Sequence, residues 1–249
     1  VHGKSLRKLE KILTIDGAQI WTISAGKGMP FILCNGGPGC DDYLQPVSEL
    51  IEDRCQVIRF EPRGCGRSSY DGRYSLERTI LDIEAIRIAY GFERMIIGGH
   101  SAGPDTALAY AIQYPQHIFG IIGIAGGRIV NDRDWSASYK EKLSTIGESY
   151  GGKVFIADPE VNRIGNLSWR AYIKRPRLLR DLAALEMPVT FINAGEDIRP
   201  NWPTQQLAAL IPHGQYVEIE GAAHSIWLTH AEELGGALQK SLDRINPLK

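Results

Sequence analysis

Ile96-Ile97-Gly98-Gly99-His100-Ser101-Ala102-Gly103 decides how this chain is read. A short apolar run breaks into Gly-x-Ser-x-Gly (Gly99, Ser101, Gly103), and the residues from Pro104 to Tyr114 then carry a helical pattern. The stretch therefore predicts a strand, a sharp turn and a helix. Glycines two residues before and after the serine allow close backbone approach without Cβ clashes, so the turn can hold Ser101 in a strained conformation with its hydroxyl exposed at a strand end. The helix that follows brings its free N–H groups to the same place, where they favour developing negative charge.

Working outward, the pattern of strand, helix, strand repeats. Lys11 to Ile15 and Gln19 to Ser24 alternate around Asp16-Gly17 as a hairpin. Phe31 to Cys34, Gln56 to Phe60, Met95 to Gly98, Ile118 to Ile124, Val189 to Asn193 and Tyr216 to Ile219 are short apolar strands. Between them lie helical stretches: Leu44 to Ile51, a stripe of Leu76, Ile80, Ile83, Ile86 and Tyr90 with Ser75 as its N-cap, a helix near Thr204 to Leu210, and Ala231 to Ile245. Near-continuous apolar strands in this order predict an α/β fold, a mostly parallel sheet with helices on both faces. Sites in such sheets gather at the carboxyl ends of the strands. From 128 to 186 the pattern changes to charge and aromatics (Trp135, Tyr139, Tyr150, Trp169, Tyr172) with a Gly151-Gly152 break, which predicts a small helical cap inserted into a core domain formed by 1–127 and 187–249. Trp135 is the candidate for a substrate-binding pocket wall.

The 249 residues suffice for one large domain. With 28 Lys and Arg against 29 Asp and Glu, mixed along the chain, there is no basic field for nucleic acid or an anionic membrane. The expected partner is a small molecule or short peptide. No apolar run has the length of a membrane span or leader, so the expected location is cytoplasmic. Cys34, Cys40, Cys55 and Cys65 lack a zinc spacing, and no metal is expected. Reduced thiols are the expected state, with a Cys40–Cys65 pair as the alternative.

A serine hydroxyl is a poor nucleophile until a base takes its proton and a third group orients that base. Asp197 follows one apolar strand and His224 the next, giving the order Ser101, Asp197, His224. His224 is the candidate base and Asp197 its orienting acid. Glu196 is the rival to Asp197, and His100, His117, His213 and His230 are read as ordinary polar residues. Asn35-Gly36-Gly37-Pro38-Gly39, directly after a strand, is the candidate oxyanion loop. Gly37 N–H and Ala102 N–H are the two expected donors, with Gly36 as the alternative to Gly37 and a further substrate-binding candidate. Removing one such donor typically costs about 10²–10³ in turnover. A second glycine-rich loop, Glu61 to Ser68, is read as structural, with Arg63 tying loops together.

The set Asn-Gly-Gly-Pro-Gly, Pro-Arg-Gly-x-Gly-Arg-Ser, Gly-His-Ser-Ala-Gly, Gly-x-Asp and a late His resembles the α/β-hydrolase superfamily over nearly the whole chain. The two glycine loops look most like those of the proline iminopeptidases, which remove an N-terminal proline from small peptides. That resemblance implies a cofactor-free serine hydrolase with an acyl-enzyme mechanism and aminopeptidase specificity. The chain departs from those enzymes in having Asn35 where they have His, Ala102 where they have Trp, and a shorter insertion. Glu141, Glu148, Asp158 and Glu160 are the acids available there to hold a substrate amine. A carboxylesterase or carbon–carbon bond hydrolase is the alternative, and a non-catalytic ligand-binding protein on the same fold the alternative of another class. Epoxide hydrolases and haloalkane dehalogenases are disfavoured because they use Asp at the position of Ser101.

Overall fold

The computed structural model describes residues 8–129, 133–148 and 156–246. Its centre is an eight-stranded sheet. β1 (Leu9–Ile15) and β2 (Ala18–Gly26) form the predicted hairpin, and β2 runs antiparallel to β4 (Cys55–Phe60). From there β3 (Met29–Cys34), β5 (Met95–His100), β6 (Ile118–Ile124), β7 (Val189–Ala194) and β8 (Gly214–Ile219) are all parallel to their neighbours. The spatial order is β1-β2-β4-β3-β5-β6-β7-β8.

Successive side chains of a strand point to opposite faces, and here both faces are apolar, which is why the strands read as continuous runs. Ile32, Ile58, Ile97 and Ile121 pack on one side with α2 (Leu76–Ala89) and α3 (Gly103–Gln113). Their neighbours Phe31, Val57, Ile96 and Ile122 pack on the other with α1 (Gln45–Glu49) and α8 (Ala231–Ile245). Ser75 caps α2 as its sequence predicts, accepting a 3.2 Å hydrogen bond from Arg78 N–H. Arg63 is fully buried and donates to Asp82, to Asp71 and to the Ile15 carbonyl, holding the Glu61–Ser68 loop against α2 and the hairpin.

Between β6 and β7 lie α4 (Arg133–Thr145), α5 (Pro159–Tyr172) and α6 (Leu178–Ala183). Tyr150 and the Gly151-Gly152 break lie outside the described residues. α5 crosses the strand ends and is stitched to the Asn35–Gly39 loop: Asn162 Nδ2 donates to the Pro38 carbonyl at 2.7 Å and Asp158 N–H to the Gly39 carbonyl at 3.0 Å. α6 instead buries Leu178 and Leu182 in the same core as α3 and α7 (Trp202–Leu210).

Candidate active site

The Asn35–Gly39 loop, Ser101, Asp197 and His224 follow the carboxyl ends of β3, β5, β7 and β8. β5 ends at His100, and Ser101 follows with φ +60°, the left-handed region that non-glycine residues seldom enter. Such a residue stores about 1–3 kcal/mol of strain that its surroundings must hold. Ser101 N–H is fixed on the Ile124 carbonyl at 2.9 Å. A Cβ at either Gly99 or Gly103 would overlap the Cys34 carbonyl, so both flanking glycines are required by the approach of β3 to the turn.

Asp197 lies on the loop after β7 and His224 on the loop after β8. The two loops are tied by Glu196 N–H to the Ala222 carbonyl at 2.9 Å. His224 Nδ1 meets Asp197 Oδ2 at 2.5 Å, both side chains being buried. Asp197 Oδ1 accepts from Arg199 N–H at 2.9 Å and from its guanidinium at 3.2 Å. Burial by itself would push the Asp197 carboxyl up, but the hydrogen bond and charge of His224 and then the charge of Arg199 outweigh it and hold it down at about 2. Nδ1 of His224 is thereby the protonated nitrogen and Nε2 the basic one. Glu196, the rival acid, is exposed.

His100 is more than an ordinary polar residue. Its ring is buried beside that of His224, with centroids 4.5 Å apart. Nε2 lies 3.0 Å from the His224 carbonyl, an acceptor, so Nε2 carries the proton and Nδ1 accepts from Tyr43 Oη at 2.7 Å. Tyr43 Oη in turn accepts Gly36 N–H at 2.8 Å. The chain of donors and acceptors from Gly36 through Tyr43 and His100 to His224 links the oxyanion loop, the elbow and the histidine loop. Burial first, and the neighbouring His224 second, hold the His100 imidazole well below the usual histidine range and keep it neutral.

With Gly36 N–H committed to Tyr43, the fallback donor of the Asn35–Gly39 loop is occupied. Among the described residues neither Gly37 N–H nor Ala102 N–H has a backbone or side-chain acceptor, and both residues line the cavity that holds Ser101. That cavity has a volume of about 230 Å³. Gly36 and Trp135 line it as well. Trp135 is fixed by its indole N–H on the Pro200 carbonyl at 3.1 Å.

The acids expected to hold an amine are engaged elsewhere. Glu148 pairs with Arg199 at 2.5 Å. Asp158 caps α5 by accepting from Glu160 N–H and Val161 N–H, and Glu141 and Glu160 are exposed and outside the cavity lining. An acid the sequence reading passed over, Asp105, does line the cavity, one turn after Ser101. It accepts Arg128 N–H at 2.7 Å, and burial pushes its carboxyl up to about 7 against the lowering pull of Arg128. The four cysteines are buried free thiols, so Cys40 and Cys65 are unpaired with each other. Among the described residues no cluster of three or more His, Cys, Asp or Glu side chains is arranged to hold a metal. Nor is any described helix long and apolar enough to cross a membrane.

Comparison with known proteins agrees with this architecture. The proline iminopeptidase of Saccharolobus solfataricus is 31% identical over 106 residues, 41% of this chain and 34% of that protein. The match thus spans about a third of the relative's length. A putative carbamate hydrolase, RutD of Escherichia coli, is 23% identical over 239 residues, 85% of this chain and 86% of that one. In structure, a thermophilic esterase from Thermogutta terrifontis superposes with a TM-score of 0.75 at 20% identity, covering 96% of this chain and 99% of its own, which is a likeness of fold. Residues 29–154, just over half of the chain, match the family model described as alpha/beta hydrolase fold. The chain belongs to the α/β-hydrolase family.

Proposed function

We propose that the protein is a serine hydrolase that opens small acyl substrates through an acyl-enzyme on Ser101. The observation that carries this reading is the 2.5 Å contact of His224 Nδ1 with Asp197 Oδ2, with Asp197 and the left-handed Ser101 lining one cavity. In this reading Nε2 of His224 removes the Ser101 proton as Oγ attacks the substrate carbonyl. Asp197, held ionised by its surroundings, stabilises the imidazolium that forms. The oxyanion is received by Gly37 N–H and Ala102 N–H, the latter with the α3 N-terminus behind it. His224 then protonates the leaving group, and a water activated by the same nitrogen hydrolyses the acyl-enzyme. The helices between β6 and β7 act as a cap that shapes the acyl pocket.

An ester or a similarly activated acyl group is the preferred bond. A free N-terminal proline needs a carboxylate to receive its amine, and the candidate acids of the insertion are paired, capping or exposed. The iminopeptidase reading is retained as second because relatives of that name share 28–34% identity with parts of the chain. The ratio of kcat/KM for a p-nitrophenyl ester to that for a proline arylamide, with Ser101→Ala as background, separates the two. Ester turnover lost in Ser101→Ala, with a fluorophosphonate adduct on Ser101, is the expected result. Arylamide turnover confined to free N-terminal proline reverses the order of the readings. No Ser101-dependent turnover or labelling of any kind favours a binding role.

A further inference from the structure

Next to the cavity that holds Ser101 lies a second, of about 320 Å³, walled in common with the first by Arg128, Arg199 and the indoles of Trp135 and Trp169. Its remaining lining adds Lys140 from α4 and Arg170 from α5, and among the described residues no carboxylate lines it. Four cationic side chains from four separate parts of the chain thus face one chamber. Their pairing is unequal. Arg199 is neutralised by Glu148 and Asp197. Arg128 has no carboxylate within salt-bridge distance among the described residues, and its guanidinium carbon sits 3.8 Å from the centroid of the Trp135 ring. Stacked in this way, a guanidinium keeps its rim of N–H donors for a planar or tetrahedral oxyanion.

The arrangement sets like charges side by side in partly buried surroundings. Burial lowers the affinity of Arg128 for its proton. Asp105 opposes that effect, and the like charges of Arg199 and Arg170 add to it. Asp105 offers only partial relief, because its own carboxyl is pushed up to about 7 and it touches Arg128 through the backbone N–H. Elsewhere in the molecule buried guanidinium groups are matched: Arg63 to Asp82 and Asp71, Arg59 to Asp42. A half-buried arginine with no carboxylate at salt-bridge distance among the described residues, crowded by two others and opening on the reaction cavity, is placed as a ligand group.

We propose that the substrate is an acyl compound bearing a second, anionic group, a carboxylate or a phosphate, and that Arg128, assisted by Arg170 and Lys140, holds that group while Ser101 attacks the acyl carbon. The inference rests on the acyl-enzyme reading for its second half only. The anion site is a feature of the cap and the β6 loop, and it can be tested without turnover. It also accounts for the missing amine anchor, since a cavity with this charge repels a protonated amine and attracts an anion.

The test is calorimetric titration of Ser101→Ala with glutarate and, separately, with inorganic phosphate at constant ionic strength. Saturable binding of either anion is expected, the tighter one identifying the group. Arg128→Met should raise its Kd by about tenfold or more, as loss of a charge-assisted pair does. Arg170→Gln should raise it by about threefold, the smaller loss expected of a solvent-exposed charge. Arg180→Gln, an exposed position on α6 outside both cavities, controls for net charge and should leave Kd unchanged. Should Arg128→Met fail to fold, Arg170→Gln at an exposed helical position carries the test. In the active enzyme, kcat/KM for mono-p-nitrophenyl glutarate over that for p-nitrophenyl butyrate should fall in Arg128→Met by the same factor. Absence of saturable binding, or binding indifferent to Arg128 and Arg170, overturns the proposal. Arg128-dependent binding without ester turnover keeps the anion site and overturns the acyl-enzyme reading; ester turnover with no anion binding does the reverse.

Discussion

Two buried histidines stand with their rings 4.5 Å apart and are held in opposite ways. His224 points Nδ1 at a carboxylate kept ionised by its own neighbours, so a positive charge on this ring has a partner waiting at 2.5 Å. Among the described residues the hydrogen-bond partners of His100 are neutral, the Tyr43 hydroxyl and the His224 carbonyl, and its aromatic walls include Trp227 at 4.7 Å between ring centroids. A ring so placed cannot take a proton without leaving a charge buried in apolar surroundings. In the proposed mechanism the first histidine cycles its charge, whereas the second is held neutral by its surroundings and braces the first. The residue type is the same, and what the neighbours can neutralise decides the role.

The difference is broken most severely at Asp197. Asp197→Asn leaves the ring a neutral partner, permits the wrong tautomer and removes the charge that stabilises the imidazolium. The expected loss in kcat/KM toward a p-nitrophenyl ester is about 10³–10⁴. His100→Leu removes the donor to the His224 carbonyl and the ring nitrogen that accepts the Tyr43 hydroxyl proton. A displaced general base costs about 10–100-fold in kcat with KM little changed. His100→Gln, which retains an N–H donor of similar reach, should recover much of the loss, a rescue that a bulk packing role would not give. Tyr43→Phe breaks the same chain one step further out and frees Gly36 N–H. It should reduce kcat only a few-fold and lower stability by about 1 kcal/mol, measured by urea denaturation.

Which of these roles could be read in the sequence follows from how local their causes are. The elbow is written in Gly99, Ser101 and Gly103 because backbone crowding demands glycine there whatever the rest of the chain does. Asp197 and His224 are legible by their places after successive strands, and the sheet follows from its continuous apolar runs. The role of His100 is not local: its partners lie 57 and 124 positions away. The cationic chamber likewise draws on β6, α4, α5 and the Asp197 loop, and each of its arginines taken alone reads as a solvated surface residue. Glu148 is the mirror case. In sequence it is one of four equivalent acids, and only the fold shows it spent on Arg199.

The last expected effect is read in stability and not in turnover, and it tests the neutral strut directly. The folded protein holds His100 well below its ordinary value of 6.5, so below that pH the unfolded chain binds a proton that the folded state refuses. Stability that is complete above pH 6.5 should therefore decline as pH falls, with a slope from this ring approaching about 1.4 kcal/mol per pH unit. The Asp197 carboxyl, lowered from 3.8 to about 2, adds a separate loss of about 2 kcal/mol that begins only as pH falls below 4. The two windows do not overlap at their upper ends, which lets them be assigned. Urea denaturation of wild type and His100→Gln at pH 7.5, 6.0 and 5.0 should show the gap between the proteins closing or reversing as pH falls, because the variant has no ring to protonate. An unchanged gap across that range would mean that His100 accepts a proton in the folded state, and the distinction between the two histidines would fail.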